Sequence, residues 1–328
     1  MIKLEEKKKI ELLSPKIDVV FHALFRKENK YLAEFFISAM LGRKVKIKDT
    51  DLNRHLQITS ANEKLGVLDY LTEFEDLTKC NIEIQVLEKE YEIERFLYYW
   101  ANIYSRQLER GDEYNKLYKT ISIIIVDHEI EFLKNLNTLN TKWQIRANNL
   151  GNMLLTDHLE ICIIEIPKAK ELLGSMKDNE ICQWMWFFDE PNSKEVSEIM
   201  RKNTGINFAA EELESISDDK MTRKIAELRE KAIRDEKAER SFALRKGLEE
   251  GMEKGLAEGR AKGIIEGKKE GRIEGKIEGK IEGKLEGKKE TTAEMVKKMI
   301  KLNMDIAIIK EISGLSDSEI EEIKNTNA

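Results

Sequence analysis

Two stretches of this chain, residues 121–126 (ISIIIV) and 159–166 (LEICIIEI), are apolar at almost every position. A strand with one wet face alternates polar and apolar residues, whereas a strand covered on both faces does not. Both stretches therefore read as strands inside a sheet that carries helices on its two sides, the second ended by Pro167. The flanking sequence supplies helices. Residues 17–25 and 31–41 place Val20, Phe21, Leu24 and Phe25, then Leu32, Phe35, Phe36, Ala39 and Met40, at helical spacing, with Lys27-Glu28-Asn29-Lys30 as the break. Ser14-Pro15 reads as a helix start. Residues 92–110 predict a long aromatic-rich helix stopped by Gly111. A strand is expected near 52–59, and residues 169–245 read mostly helical, with Trp184, Trp186, Phe187 and Phe188 as packing residues. The order indicates an α/β domain over about residues 14–168.

Between the first helices and the aromatic one lies a hairpin pattern. The run NIEIQV (81–86) has period 2, so Glu83 and Gln85 share one face and Ile82, Ile84 and Val86 the other. Residues 67–74 are also strand-like, and the polar turn Glu75-Asp76-Leu77-Thr78-Lys79 separates the two. A hairpin centred on Asp76 sets Asp69 opposite Glu83. Directly opposed residues have Cβ atoms roughly 4.5–5.5 Å apart, where two like charges repel. A divalent cation between them removes the conflict. Aspartate plus glutamate is a hard oxygen donor set, suited to Mg²⁺ or to Mn²⁺ in its place. Such an ion acidifies bound water and neutralises charge developing on phosphorus, so the implied chemistry is phosphodiester hydrolysis with Asp69 and Glu83 as metal ligands. Gln85 can orient the attacking water or a phosphate oxygen but carries no charge. Lys64 and Arg95 are the candidates to supply it, each also readable as an ordinary surface residue.

Composition limits the alternatives. No run of eighteen or more apolar residues exists, so no membrane span is expected. The N-terminus has no long apolar core of a secretory signal, and the three cysteines (Cys80, Cys162, Cys182) lack metal-like spacing. Cys162 reads as a buried thiol, and a reducing cytoplasm fits best. The four histidines form no metal or nucleophile motif, and His22 reads as a core-edge residue. Net charge is −6, which argues against a nucleic-acid partner, yet residues 26–48 hold seven basic side chains (Arg26, Lys27, Lys30, Arg43, Lys44, Lys46, Lys48) against Glu28 and Glu34. That segment is either a guide for a phosphate backbone or two solvated helix ends.

From Gly247 to Gly287, eleven glycines recur at every fourth residue, and residues 247–290 hold eleven basic and eleven acidic side chains. Each glycine costs a helix about 1 kcal/mol relative to alanine, and a period of four drifts about 40° per repeat, which sets a right-handed supercoil if such stripes pack together. The repeat is thus a low-complexity spacer or a self-associating helix. It is not a phosphate-binding loop, since no Gly-Lys-Ser or Gly-Lys-Thr occurs in it. Residues 293–324 form a small helical unit with Gly314 as the turn and a capping box at Ser316-Asp317-Ser318-Glu319. Its layout is similar to a helix-turn-helix, but the last helix is acidic, which favours packing or protein contact over DNA reading.

Asp69, thirteen intervening residues and Glu83-Ile84-Gln85 resemble the D…E-x-Q variant of the PD-(D/E)XK nuclease superfamily. SPKIDVVFHALF (14–25), NIEIQV, ERFLYYWANIYSRQLERGDEY (94–114) and DHLEICIIEIPK (157–168) are similar to the recombination-promoting nuclease (Rpn) family of PD-(D/E)XK transposase-type proteins, over about residues 14–190. The resemblance implies a restriction-endonuclease-like core, a mixed sheet flanked by helices, with a helical C-terminal extension. It implies a metal-dependent DNA endonuclease linked to recombination, with Asp69, Glu83 and Gln85 at the active-site positions and Asp18 completing the acidic cluster. The superfamily lysine is absent at position 85. That absence and the acidic net charge leave open a catalytically inactive DNA- or protein-binding assembly module on the same fold. The expected organisation is an arm (1–13), the core (14–168), a helical extension (169–245), the repeat (246–290) and the terminal helical unit (291–328).

Overall fold

A computed structural model describes residues 10–52, 70–172 and 174–325. The elements run α1 (Asp18–Leu24), α2 (Lys30–Leu41), β1 (Ile47–Leu52), β2 (Tyr70–Phe74), β3 (Lys79–Gln85), α3 (Glu92–Ser105), β4 (Thr120–Val126), β5 (Asn140–Trp143), β6 (Arg146–Ala147), β7 (Met153–Leu154), β8 (Leu159–Glu165), α4 (Ile166–Leu172), α5 (Glu180–Asp189), α6 (Lys194–Met200), α7 (Thr204–Asp218), α8 (Lys220–Lys301), α9 (Ile306–Ser313) and α10 (Asp317–Asn325). They divide into two compact units, Met1–Arg240 and Ser241–Ala328.

In the first unit the main sheet has the order β1-β2-β3-β4-β8-β5. Strands β3, β4 and β8 are parallel, while β1, β2 and β5 pair antiparallel. The two unbroken apolar runs are the interior strands β4 and β8, and every residue of β4 is buried. Ile121, Ile123 and Ile125 face one core cluster, and Ile124 and Val126 face the other. The first cluster is built from α1, α2, α5 and α7 and is rich in aromatic rings. Phe36 stacks on Phe188 at 5.2 Å and 6°, and meets Phe25 and Trp184 each at 5.2 Å. Trp184, Phe187 and Phe188 are fully buried, and Trp186 packs against them partly exposed. The second cluster is closed by α3 through Phe96.

Several boundaries differ from expectation. Ser14 and Pro15 form a turn, closed by the Ile17 N–H to the Ser14 carbonyl, and α1 begins only at Asp18. The break after it is a 3₁₀ turn over Lys27–Asn29. α2 ends at Gly42, whose φ of +68° turns the backbone left-handed so that its N–H caps the helix. The strand expected near 52–59 lies, beyond residue 52, outside the described residues; β1 runs over Ile47–Leu52. Lys48 and Asp49 of β1 are charges of the kind an edge strand carries to discourage further pairing. α3 stops at Ser105 rather than at residue 110, because Gln107 turns to bond the Tyr118 carbonyl and the Thr120 hydroxyl. Ile166 and Pro167 open α4 rather than closing β8, with proline tolerated in a first helical turn.

The three cysteines are free and buried. Burial pushes the Cys80 thiol well above its usual range and Cys162 up to about 12. A thiol-specific disulfide reagent at pH 8 is therefore expected to leave all three unmodified in the native chain and to titrate all three after denaturation, because the thiolate is the reacting form.

The second unit contains the rest of α8, α9 and α10. Val296, Ile309 and Ile320 form its buried core. Gly314 takes φ +69° between the last two helices. The capping box is reciprocal: the Ser316 N–H donates to Glu319 Oε2 at 2.8 Å, and the Glu319 N–H donates to Ser316 Oγ at 3.4 Å. The acidic α10 thus packs through Ile320. The glycine repeat is helical throughout, and a Cβ placed on any of its eleven glycines would meet nothing within 4 Å.

Candidate active site

The hairpin register is the one expected. Tyr70 pairs with Ile82, Leu71 with Asn81, Thr72 with Cys80 and Glu73 with Lys79, all centred on Asp76. Asp69 and Lys64 lie outside the described residues. The alternation of β3 sends Cys80 and Ile82 into the first core, with Ile84 packed against it. Asn81, Glu83 and Gln85 take the opposite face, the one covered by α3.

Glu83 is only 3% exposed, an expensive place for a carboxylate unless polar groups surround it. Gln85 Nε2 donates to Glu83 Oε2 at 3.2 Å, and Asn81 Nδ2 donates to Oε1 at 3.5 Å. Arg95 in the first turn of α3 donates through its guanidinium to Gln85 Oε1. A guanidinium only donates, so this contact fixes the amide with its nitrogen toward Glu83. Arg95 thus orients and polarises the Gln85 amide that donates to Glu83. Three polar atoms on this patch are buried without a partner among the described residues: Asn81 Oδ1, Ser122 Oγ on the neighbouring strand and Arg95 Nε. Buried polar atoms in folded proteins are ordinarily paired with protein or ordered water, and three of the seven found unpaired among the described residues lie here.

Gln85 ends β3 at the C-terminal side of the parallel strands, the end where open α/β sheets place ligands, while Asn81, Glu83 and Ser122 lie further back along β3 and β4. A cleft of about 270 Å³ is lined by Lys16, Asp18, Gln85, Lys89, Arg229 and Ile233 among others. Asp18 and Gln85 therefore share one cleft, and Asp18 lies 3.6 Å from Arg229. Lys16, nearly buried, bridges Asp127 at 3.1 Å and Asp189 at 2.6 Å. Sequence reasoning had not singled out Lys16, Asn81 or Asp127. Asn81 was signalled by its period-2 phase with Glu83, and Asp127 by its place immediately after a fully buried strand. Among the described residues, no group of three His, Cys, Asp or Glu side chains is placed to hold a metal ion.

The basic residues of 26–48 are largely committed elsewhere. Arg26 pairs with Glu212 at 2.7 Å, Lys27 with Asp49 at 3.0 Å, Lys46 with Glu34 at 2.9 Å and Lys48 with Glu73 at 2.6 Å.

A family model described as PD-(D/E)XK nuclease family transposase matches residues 15–242. The chain belongs to that family. In this PD-(D/E)XK protein Arg95 of α3 sets its guanidinium against the Gln85 amide of β3. The match ends inside α8, so the first turns of that helix belong to the nuclease-family segment. No curated protein and no solved structure matches the chain. Among the described residues no helix is long and apolar enough to cross a membrane.

Proposed function

We propose that the chain is a metal-dependent DNA endonuclease that hydrolyses phosphodiester bonds and serves recombination, with Asp69 and Glu83 as metal ligands. The observation that carries this reading is the hydrogen-bonded series Arg95–Gln85–Glu83, which ends on a buried carboxylate. The expectation of Asp69 opposite Glu83, drawn from a turn centred on Asp76, supports the same reading. The donor chemistry fits a hard cation, Mg²⁺ or Mn²⁺: Glu83 is a buried carboxylate and Asn81 Oδ1 is a buried oxygen without a partner beside it. When bound, such an ion would acidify a coordinated water and neutralise charge developing on the scissile phosphate.

The protein's own groups divide the remaining work. Arg95 supplies the positive charge that position 85 lacks and orients Gln85. Gln85 holds Glu83 in one rotamer, and Asp18 and Lys16 line the cleft through which a phosphate backbone would enter. Supercoiled plasmid incubated with pure protein tests the reading: nicking with Mg²⁺ and none with EDTA is expected. Tight binding of DNA without cleavage under either condition would instead establish the inactive binding module.

Arg95 gives a separate test. Arg95→Ala removes the donor to Gln85 and is expected to slow single-turnover nicking by about 10²-fold, the usual scale for a lost electrostatic donor. Arg95→Lys keeps the charge but not the planar fork, and should recover part of that loss.

A further inference from the structure

We propose that the first turns of α8 are a phosphate rail, a surface that holds the backbone of duplex DNA beside the cleft; this rests on the nuclease reading above. Arg229, Ile233, Lys237 and Arg240 fall within a sector of about 80° on the helix, and Arg229 and Arg240 are separated by roughly 16 Å along it. The sector faces the cleft: Arg229 and Ile233 line it, and Ile233 packs partly buried against the main core. The rail thus has a seated hydrophobic anchor and three half-exposed cations.

The contacts those cations make are weak ones. Arg229 Nε stands 3.6 Å from Asp18, and Lys237 Nζ stands 3.7 Å from Asp127. Both separations exceed hydrogen-bonding distance, so the donors remain available. Arg240 donates to the Glu88 carbonyl and to Glu236, leaving other guanidinium donors. Exposed ion pairs of this kind contribute at most about 1 kcal/mol, so exchanging a carboxylate for a phosphate costs little. The rail's length corresponds to about five base pairs at 3.4 Å each. Lys89 adds positive charge on the cleft wall. A chain of net charge −6 therefore carries three half-exposed cations on one sector of α8, beginning at the cleft that Gln85 lines.

Counterion release makes the proposal measurable. Binding of a fluorescent duplex of about 20 base pairs to the full chain, followed without divalent metal over a salt series, gives a log–log slope of about −0.9 per phosphate neutralised. The triple variant Arg229→Ala, Lys237→Ala, Arg240→Ala is expected to flatten the slope by about 1 to 3 and to weaken binding at low salt at least tenfold. Arg229→Lys with Arg240→Lys preserves charge and should keep the wild-type slope, which separates a lost rail from a damaged fold. An unchanged slope in the triple variant overturns the rail while leaving the nuclease reading intact. Absence of duplex binding by the wild-type chain overturns both.

Discussion

Glu83→Gln is expected to reduce Mg²⁺-dependent plasmid nicking by about 10³-fold while leaving the fold unharmed. The substitution conserves volume and keeps a polar group between Asn81 and Gln85, but removes the negative charge that would ligate a cation. Removing a buried charge costs little stability when the replacement packs as well, so the melting temperature should stay level or rise. Asp69→Asn should give the same loss. If the two carboxylates share one ion, the double variant will be no slower than either single one, because groups acting as a unit are not additive. Multiplicative losses would show that the two act separately, and wild-type nicking by both single variants would remove this pair from the chemistry.

Phe36→Ala carries the largest expected effect on stability. Phe36 is fully buried and touches three other rings, one stacked and one edge-on. A cavity of this kind costs about 3–5 kcal/mol, and the ring contacts add about 0.5–1.5 kcal/mol each where geometry is good. Against a total stability of about 5–15 kcal/mol that is a large share. Calorimetry should show the first unit melting roughly 6–20 °C lower. Phe36→Leu fills much of the space and should lose less. A shift under 2 °C for the alanine variant would mean that the aromatic cluster relaxes around the void.

Much of this was readable from residue patterns, and the reasons are local. The polar turn around Asp76 and the period-2 run after it determined a hairpin register, and Tyr70↔Ile82 through Glu73↔Lys79 obey it. The unbroken isoleucines of β4 required two covered faces and have them. The capping box needed only Ser316 and Glu319. The misjudged features depend on partners remote in sequence. β1 lacks an alternating apolar pattern because its edge position tolerates charge. α3 ends early because Gln107 is claimed by residues eleven and thirteen positions away. Lys16 and Asp127 meet across 111 residues, a convergence set by strand order, which no short pattern encodes. Arg95 was legible as a charge near the site, but its bond to Gln85 required the packing of α3 on β4 through Phe96.

The glycine ladder of α8 has a consequence for how such a gene can vary. Every unit has the same length, and no glycine in it is pressed against a described neighbour. Gain or loss of one unit by replication slippage stays in reading frame, keeps the segment helical and removes no packing contact at a glycine. The cores on either side, sealed by Phe36 and its neighbours in one unit and by Val296, Ile309 and Ile320 in the other, are untouched by such a change. A change of one four-residue unit would thus leave every glycine of the repeat as free of close neighbours as it is now.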